Sequence, residues 1–343
     1  MITALALLGY AACAAWCVPA LLAPLTRRGV SVRAGLAAWL TAMASVLGSA
    51  AVAIQFSFRT VAADWPRLTQ ALCRSVAGGA CTPEVYRSAL YEGGVAALAL
   101  VATLLSAVAL WRYSHRVQRS RRQTRAHAET ARMVGRALTE GAEAAGTGAL
   151  AGRRAEAVVL DDPRPAAYCV AGRPAAIVLT SGALEVLDPA QLSAVLAHER
   201  AHLAHGDHLL HTLTQGLAAA FPGVPLFTRG AAEVARLTEM SADDAAARAN
   251  GRPALIAALL AIATGTVIPS AVISSTGAPA TSARGAAISR GALAAAAYAV
   301  PARVERLLRP SSPARSAALT ATLTLALTLL AAAPPALTFL VAR

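Results

Sequence analysis

The sequence predicts a mainly α-helical membrane protein, with about four transmembrane helices and one cytoplasmic α+β domain. Three observations carry that prediction. Hydrophobic residues make up 56% of the 343-residue chain and charged residues only 14%, with a mean hydropathy of +0.53, a profile that favours membrane spans over a water-soluble body. Four apolar runs are long enough to cross a bilayer. Between the third and fourth, short runs of strand type give way to helical patterns.

The first apolar run is residues 2–26. It has no basic residue ahead of it and Arg27 and Arg28 directly after it, the reverse of a cleaved signal, so it reads as a retained span. The second covers about 34–58, the third 94–110, and the fourth about 317–341. Every basic residue is arginine, and the arginines alternate in density from one side to the other. One side collects Arg27, Arg28 and Arg33, then the run from Arg112 to Arg125, then Arg303, Arg306, Arg309 and Arg315. The other holds Arg59, Arg67, Arg74 and Arg87, offset by Asp64, Glu84 and Glu92. Placing the richer side in the cytoplasm puts the N-terminus and a 59–93 loop outside a plasma membrane of bacterial type. The expected division is 1–111 as three spans with that loop, 112–315 as a cytoplasmic domain, and 316–343 as the last span. The net charge of +13 flanks apolar runs instead of clustering on a soluble face, so the lipid bilayer is a partner and direct nucleic-acid binding is not expected.

Within the cytoplasmic segment, a basic helical stretch from Arg112 to about Glu143 precedes a Gly/Ala-rich break. Strand-like runs follow at 156–160, 166–170 and 175–180, punctuated by Gly, Pro and Asp, and helices take over from Pro189. Residues 275–285 read as a linker. Two further apolar stretches, 208–227 and 254–273, read as buried or interfacial helices; the first is interrupted by Pro-Gly-Val-Pro. The five cysteines form no Cys-x-x-Cys pair, so neither a thiolate zinc site nor a redox motif is indicated. Cys73 and Cys81 fall in the external loop, where a bridge would be permitted. Cys169 reads as a small core residue.

Four of the seven histidines lie between Leu196 and His208. His198, Glu199 and His202 form His-Glu-x-x-His. On a helix, positions i and i+4 share a face, so both imidazoles can reach one Zn²⁺. Glu199 then stands where it can take a proton from attacking water and return it to the leaving amine. The preceding residues from Pro189 have the spacing of a helix buried on one side, the context the motif requires. A third ligand comes from one of two places. His208 lies six residues beyond His202, but the glycine that would break the helix falls one place late, at Gly206, and an uninterrupted helix carries His208 away. Glu239, on a later helix, would complete a His₂Glu set and leave a fourth position for water. Asp243 lies one turn beyond it and can accept the free ring N–H of a ligand histidine. Asp244 reads as surface or capping. His205 and Arg248 are candidate contacts to substrate or transition state.

The stretches from Leu192 to Leu209, Ala167 to Leu187 and Phe221 to Arg248 together resemble the BlaR/MecR-type antirepressor metallopeptidases, of the gluzincin class. More distantly they resemble the HtpX and Ste-type membrane proteases. Carried over by position, the resemblance implies a zincin-like fold, His198, His202 and Glu239 as zinc ligands, Glu199 as base, Asp243 as support, and an edge strand in 166–180 that lines the cleft. It implies a protein or peptide substrate, in particular a small DNA-binding repressor cut in a signalling response. The sequence reaches Arg343 without the penicillin-binding sensor domain of the best-known members, so direct β-lactam sensing is not expected. Two other readings stay open: an HtpX-like quality-control protease, and a receptor with an idle protease-like fold.

Overall fold

In the computed structural model, residues 2–27, 30–76, 83–138, 156–172, 175–270, 273, 292–309 and 313–341 are described. The architecture is mainly α. Helices α1 (Ile2–Arg27), α2 (Val32–Val76) and α3 (Pro83–Val134) lead into a small sheet made of β1 (Arg136–Ala137), β2 (Glu156–Leu160), β3 (Ala167–Val170) and β4 (Ala176–Thr180). Then follow α4 (Ser181–Val186), α5 (Pro189–His205), α6 (Asp207–Ala220), α7 (Pro225–Asn250), α8 (Arg252–Thr264), α9 (Ala292–Leu308) and α10 (Pro313–Val341).

The chain divides into two compact units. One comprises residues 1–116, 214–233 and 316–343; the other comprises 117–213 and 234–315. In the first, Ile2–Arg27, Val32–Arg59 and Ser316–Ala336 are long and apolar enough to cross a membrane. The remaining expected span, the third, at 94–110, lies inside α3, and Leu100, Leu104, Leu105, Leu110 and Trp111 there are all exposed, a surface suited to lipid and costly in water. The expected 59–93 loop is different: α2 runs on to Val76 and α3 begins at Pro83. The arginines there are compatible with helix, so the residues that end the apolar runs do not end the helices. The proposed Cys73–Cys81 bridge and the 275–285 linker lie outside the described residues.

A polar knot joins the spans. Pro334 has no N–H, so the carbonyl of Leu330, four residues earlier in α10, loses its helical partner. Tyr10 Oη of α1 donates to that carbonyl at 2.8 Å, and Ser45 Oγ of α2 donates to it at 3.1 Å. In lipid no water is at hand to make good the loss. The same unit holds Glu233, 5% exposed, which accepts from Arg27 Nη2 at 2.6 Å. Beside it, Gly230 lets α7 approach α2 so closely that a Cβ would meet Met43 and Trp39.

The second unit is built on the sheet, ordered β1-β2-β4-β3. β4 is parallel to β2 and antiparallel to β3, and every residue of β4 is buried. The three strand-like runs of the sequence are β2, β3 and β4; the two-residue β1 gives no alternating pattern to find. α5 packs on the sheet and on α8. Its Val195 and Leu196 join Ile177, Leu179, Ala258 and Ala261 in one core. A second core sets Ala194 with Ala246, Leu255, Ile256, Val304 and Leu307, tying α5 to α7, α8 and α9. With 13 residues, α8 is a buried core helix and too short to span, and the other doubtful stretch ends at Ala220 before the Pro-Gly-Val-Pro break.

The knot in the spans gives a test. The double variant Tyr10→Phe, Ser45→Ala is expected to lower the thermal midpoint in detergent, by about 0.6–2 kcal/mol per lost hydrogen bond. Adding Pro334→Ala restores the helical N–H to Leu330 and should recover most of that loss; no recovery would refute the carbonyl account.

Candidate metal centre

The helix that carries the histidine motif is held at both ends. Asp188 caps its start: its side chain accepts from Gln191 N, while Gln191 Oε1 accepts from Asp188 N, with Pro189 in the first turn. This is the reciprocal capping box. At the other end Gly206 adopts φ +68°, the left-handed turn that glycine takes without a Cβ penalty. The helix does break at Gly206, contrary to the expectation of an uninterrupted run. The break still leaves His208 exposed and brings Asp207, 3% exposed, against the motif instead.

His198 and His202 lie one turn apart and buried, with their Nε2 atoms 3.1 Å from each other. Glu239 of α7 faces both: Oε1 is 3.4 Å from His202 Nε2, and Oε2 is 3.6 Å from His198 Nε2. Ligands at 2.0–2.1 Å in a tetrahedral set stand about 3.3–3.4 Å apart, and the three observed separations bracket that value. Each imidazole has an aspartate beside it, hydrogen-bonded in the case of His202 and within 3.2 Å but not aligned for a hydrogen bond in the case of His198. His202 Nδ1 meets Asp207 Oδ2 at 2.7 Å, and His198 Nδ1 lies 3.2 Å from Asp243 Oδ1. With its proton on Nδ1, a ring presents the lone pair of Nε2 to a metal. The donor set therefore fits a divalent ion held by His198, His202 and Glu239, and among the described residues this is the one group so arranged.

The electrostatics agree with the geometry. Burial works against charge on both rings, yet for His198 the carboxylates of Asp243 and Glu239 outweigh it and raise the ring. For His202, Asp207 and Glu239 do the same, and the ring is pushed up to about 10. Burial opposes ionisation of Glu239, but the two histidines, and then Arg303, hold it well below the usual carboxylate range. A field that keeps a proton on an imidazole is one that favours a metal cation in the proton's place. Glu199 is 7% exposed and adjoins this cluster. Cys169, on edge strand β3, faces it; burial first, then the Glu199 charge, pushes the thiol up to about 12, so it stays protonated and unreactive.

Two partners escape sequence reasoning. An unbroken helix would hide Asp207; the Gly-Asp pair directly after His205 is the available signal. Arg303 of α9 places Nη2 2.6 Å from Asp243 Oδ1 and Nη1 3.1 Å from Glu239 Oε2, and no local pattern links it to residues 60 positions earlier. Arg248 and His205 are exposed, and the arginine at the cluster is Arg303. Asp244 is paired with Arg306 at 2.7 Å, which a reading of surface or capping had missed.

Two outcomes are expected. Detergent-purified wild type and His208→Ala should bind stoichiometric zinc, whereas Glu239→Ala should lose it; zinc lost from the His208 variant instead would overturn the assignment. Because the rings are raised, each proton they hold must leave when the metal enters. Apparent zinc affinity should then fall with acid, by about tenfold per pH unit for each proton released, and calorimetry in buffers of differing ionisation enthalpy should detect the proton.

Residues 128–230 match the model of peptidase family M48. A stretch of 64 residues is 44% identical to a protein named protease HtpX homolog from Acidiphilium cryptum (strain JF-5), covering 18% of this chain and 22% of that protein. A protein of the same name from Tropheryma whipplei (strain Twist) is 39% identical over 67 residues, covering 19% and 23% respectively. The chain thus spans less than a quarter of the length of these relatives. No solved structure matches. The segment matched to the peptidase model includes His198, Glu199 and His202 and stops short of Glu239.

Proposed function

We propose that the chain is a membrane-embedded, zinc-dependent endopeptidase. The observation that carries this reading is the convergence of His198, His202 and Glu239 on one another, with Glu199 beside them and the two histidines backed by Asp207 and Asp243. The ion, when bound, would acidify water and polarise a peptide carbonyl. The chain's own residues supply the rest. Asp207 and Asp243 orient the two rings. Glu199 accepts the proton of the attacking water and returns it to the leaving amine. Glu239 keeps 35% of its side chain exposed, which leaves one side of the cluster open to substrate. Among the described residues β3 is the edge strand of the sheet, and it presents Cys169 to Glu199. A substrate peptide adding to that edge in extended form would lie beside the base.

The active site is assigned to the cytoplasmic side of a bacterial plasma membrane, on the arginine asymmetry of the sequence. The substrate we assign is a cytoplasmic regulator of repressor type, on the resemblance to the BlaR/MecR group. A second reading, membrane-protein quality control, is favoured by the similarity to proteins named HtpX homologs.

The test is Glu199→Gln, which keeps the ligands and removes the base. It should retain zinc, lose cleavage by roughly 10²–10⁴-fold, and hold substrate long enough to be captured. A single small DNA-binding protein in the trap supports the regulator reading, and a spectrum of damaged membrane proteins supports quality control. A Glu199→Gln chain that still signals in cells would sink the peptidase reading in favour of an idle receptor.

A further inference from the structure

Arg303 reaches the candidate centre from α9, and all three of its guanidinium nitrogens are used there. Nε and Nη2 donate to the two oxygens of Asp243 at 2.8 and 2.6 Å. Nη1 lies 3.1 Å from Glu239 Oε2. Nη2 also comes within 3.4 Å of His198 Nε2. The side chain is only 13% exposed, so this is a fixed contact inside the fold. A planar guanidinium can bridge two carboxylates at set angles, and an ammonium, a point charge on a flexible stem, cannot.

We propose that Arg303 is a positioning residue of the metal site. By holding Glu239 Oε2, it fixes the rotation of that carboxylate and leaves Oε1 directed at His202. By clamping both oxygens of Asp243, it fixes the carboxylate that stands 3.2 Å from His198 Nδ1. One side chain from α9 thereby orients a ligand of α7 directly and a ligand of α5 through Asp243. The inference rests on the metallopeptidase reading, and a built-in control separates it from helix packing. Arg306, one turn along α9, donates from Nη2 to Asp244 Oδ2 at 2.7 Å. It joins the same two helices, and Asp244 is no part of the metal-binding group.

The experiment is zinc affinity of the full chain in detergent, measured by competition with a chromophoric chelator, for wild type, Arg303→Gln, Arg303→Lys and Arg306→Gln. Thermal midpoints are recorded alongside. Arg303→Gln should bind zinc about 10–100-fold more weakly, the usual cost of losing a group that orients ligands. Arg303→Lys should recover part of that loss, and Arg306→Gln should keep wild-type affinity even if its midpoint falls. Should Arg303→Gln fail to fold, a folded Arg303→Lys with weakened zinc binding carries the same support. Unchanged or tighter binding in Arg303→Gln would overturn the proposal, as would an equal loss in Arg306→Gln. A wild type that binds no zinc would instead bring down the metallopeptidase reading on which the inference stands.

Discussion

Four carboxylates, those of Glu199, Asp207, Glu239 and Asp243, gather around two imidazoles, three of them almost wholly removed from water. Buried charge of one sign is tolerated only when something of the other sign stands close. Much of the second unit can be understood as the means of meeting that condition. α5 and α7 bring the histidines and Glu239 together, the turn at Gly206 delivers Asp207, and α9 brings Arg303 to pair with Asp243 and Glu239. The apolar cores between these helices, with Ala194, Ala246, Leu255 and Val304 at their centre, hold the charged groups at distances where hydrogen bonds replace water.

What the sequence revealed follows from the range of each interaction. His198 and His202, like Glu239 and Asp243, are separated by one helical turn, and a period of 3.6 residues is legible in any string of letters. The strands β2, β3 and β4 were legible for the same reason, since a short apolar run and its Gly/Pro/Asp punctuation are local. Asp207 was also within local reach, but it required the correct reading of Gly206: the glycine directly after His205 ends the helix. Arg303 was out of reach. Its partners lie some 60 residues away, and only the tertiary fold sets the order in which helices meet. The long continuations of α2 and α3 past the apolar runs show the opposite error, in which the end of hydrophobicity is mistaken for the end of a helix.

In the first unit the same accounting concerns backbone groups. Proline in a membrane helix removes a donor that lipid cannot replace, so the position of Pro334 dictates that some neighbour must reach the Leu330 carbonyl. Tyr10 and Ser45 do so from two other helices. A defect in one span thus becomes the joint between three, and the low polarity that marks the chain as a membrane protein makes such a joint more specific, because few competing donors exist.

The chemistry of the donors also bears on which ion the centre would take. Two imidazole nitrogens and one carboxylate oxygen suit a borderline cation such as zinc; calcium and magnesium seek oxygen, and larger coordination shells than three such side chains provide. Affinity alone does not choose zinc, since copper binds such sets more strongly. Geometry adds the missing discrimination. Donors about 3.1–3.6 Å apart on two rigid helices favour a tetrahedral arrangement over a square-planar one. Orientation of those donors is therefore part of selectivity as well as of strength. Selectivity then depends on Asp207, Asp243 and Arg303, which fix how each ligand is turned, as much as on the three ligands themselves.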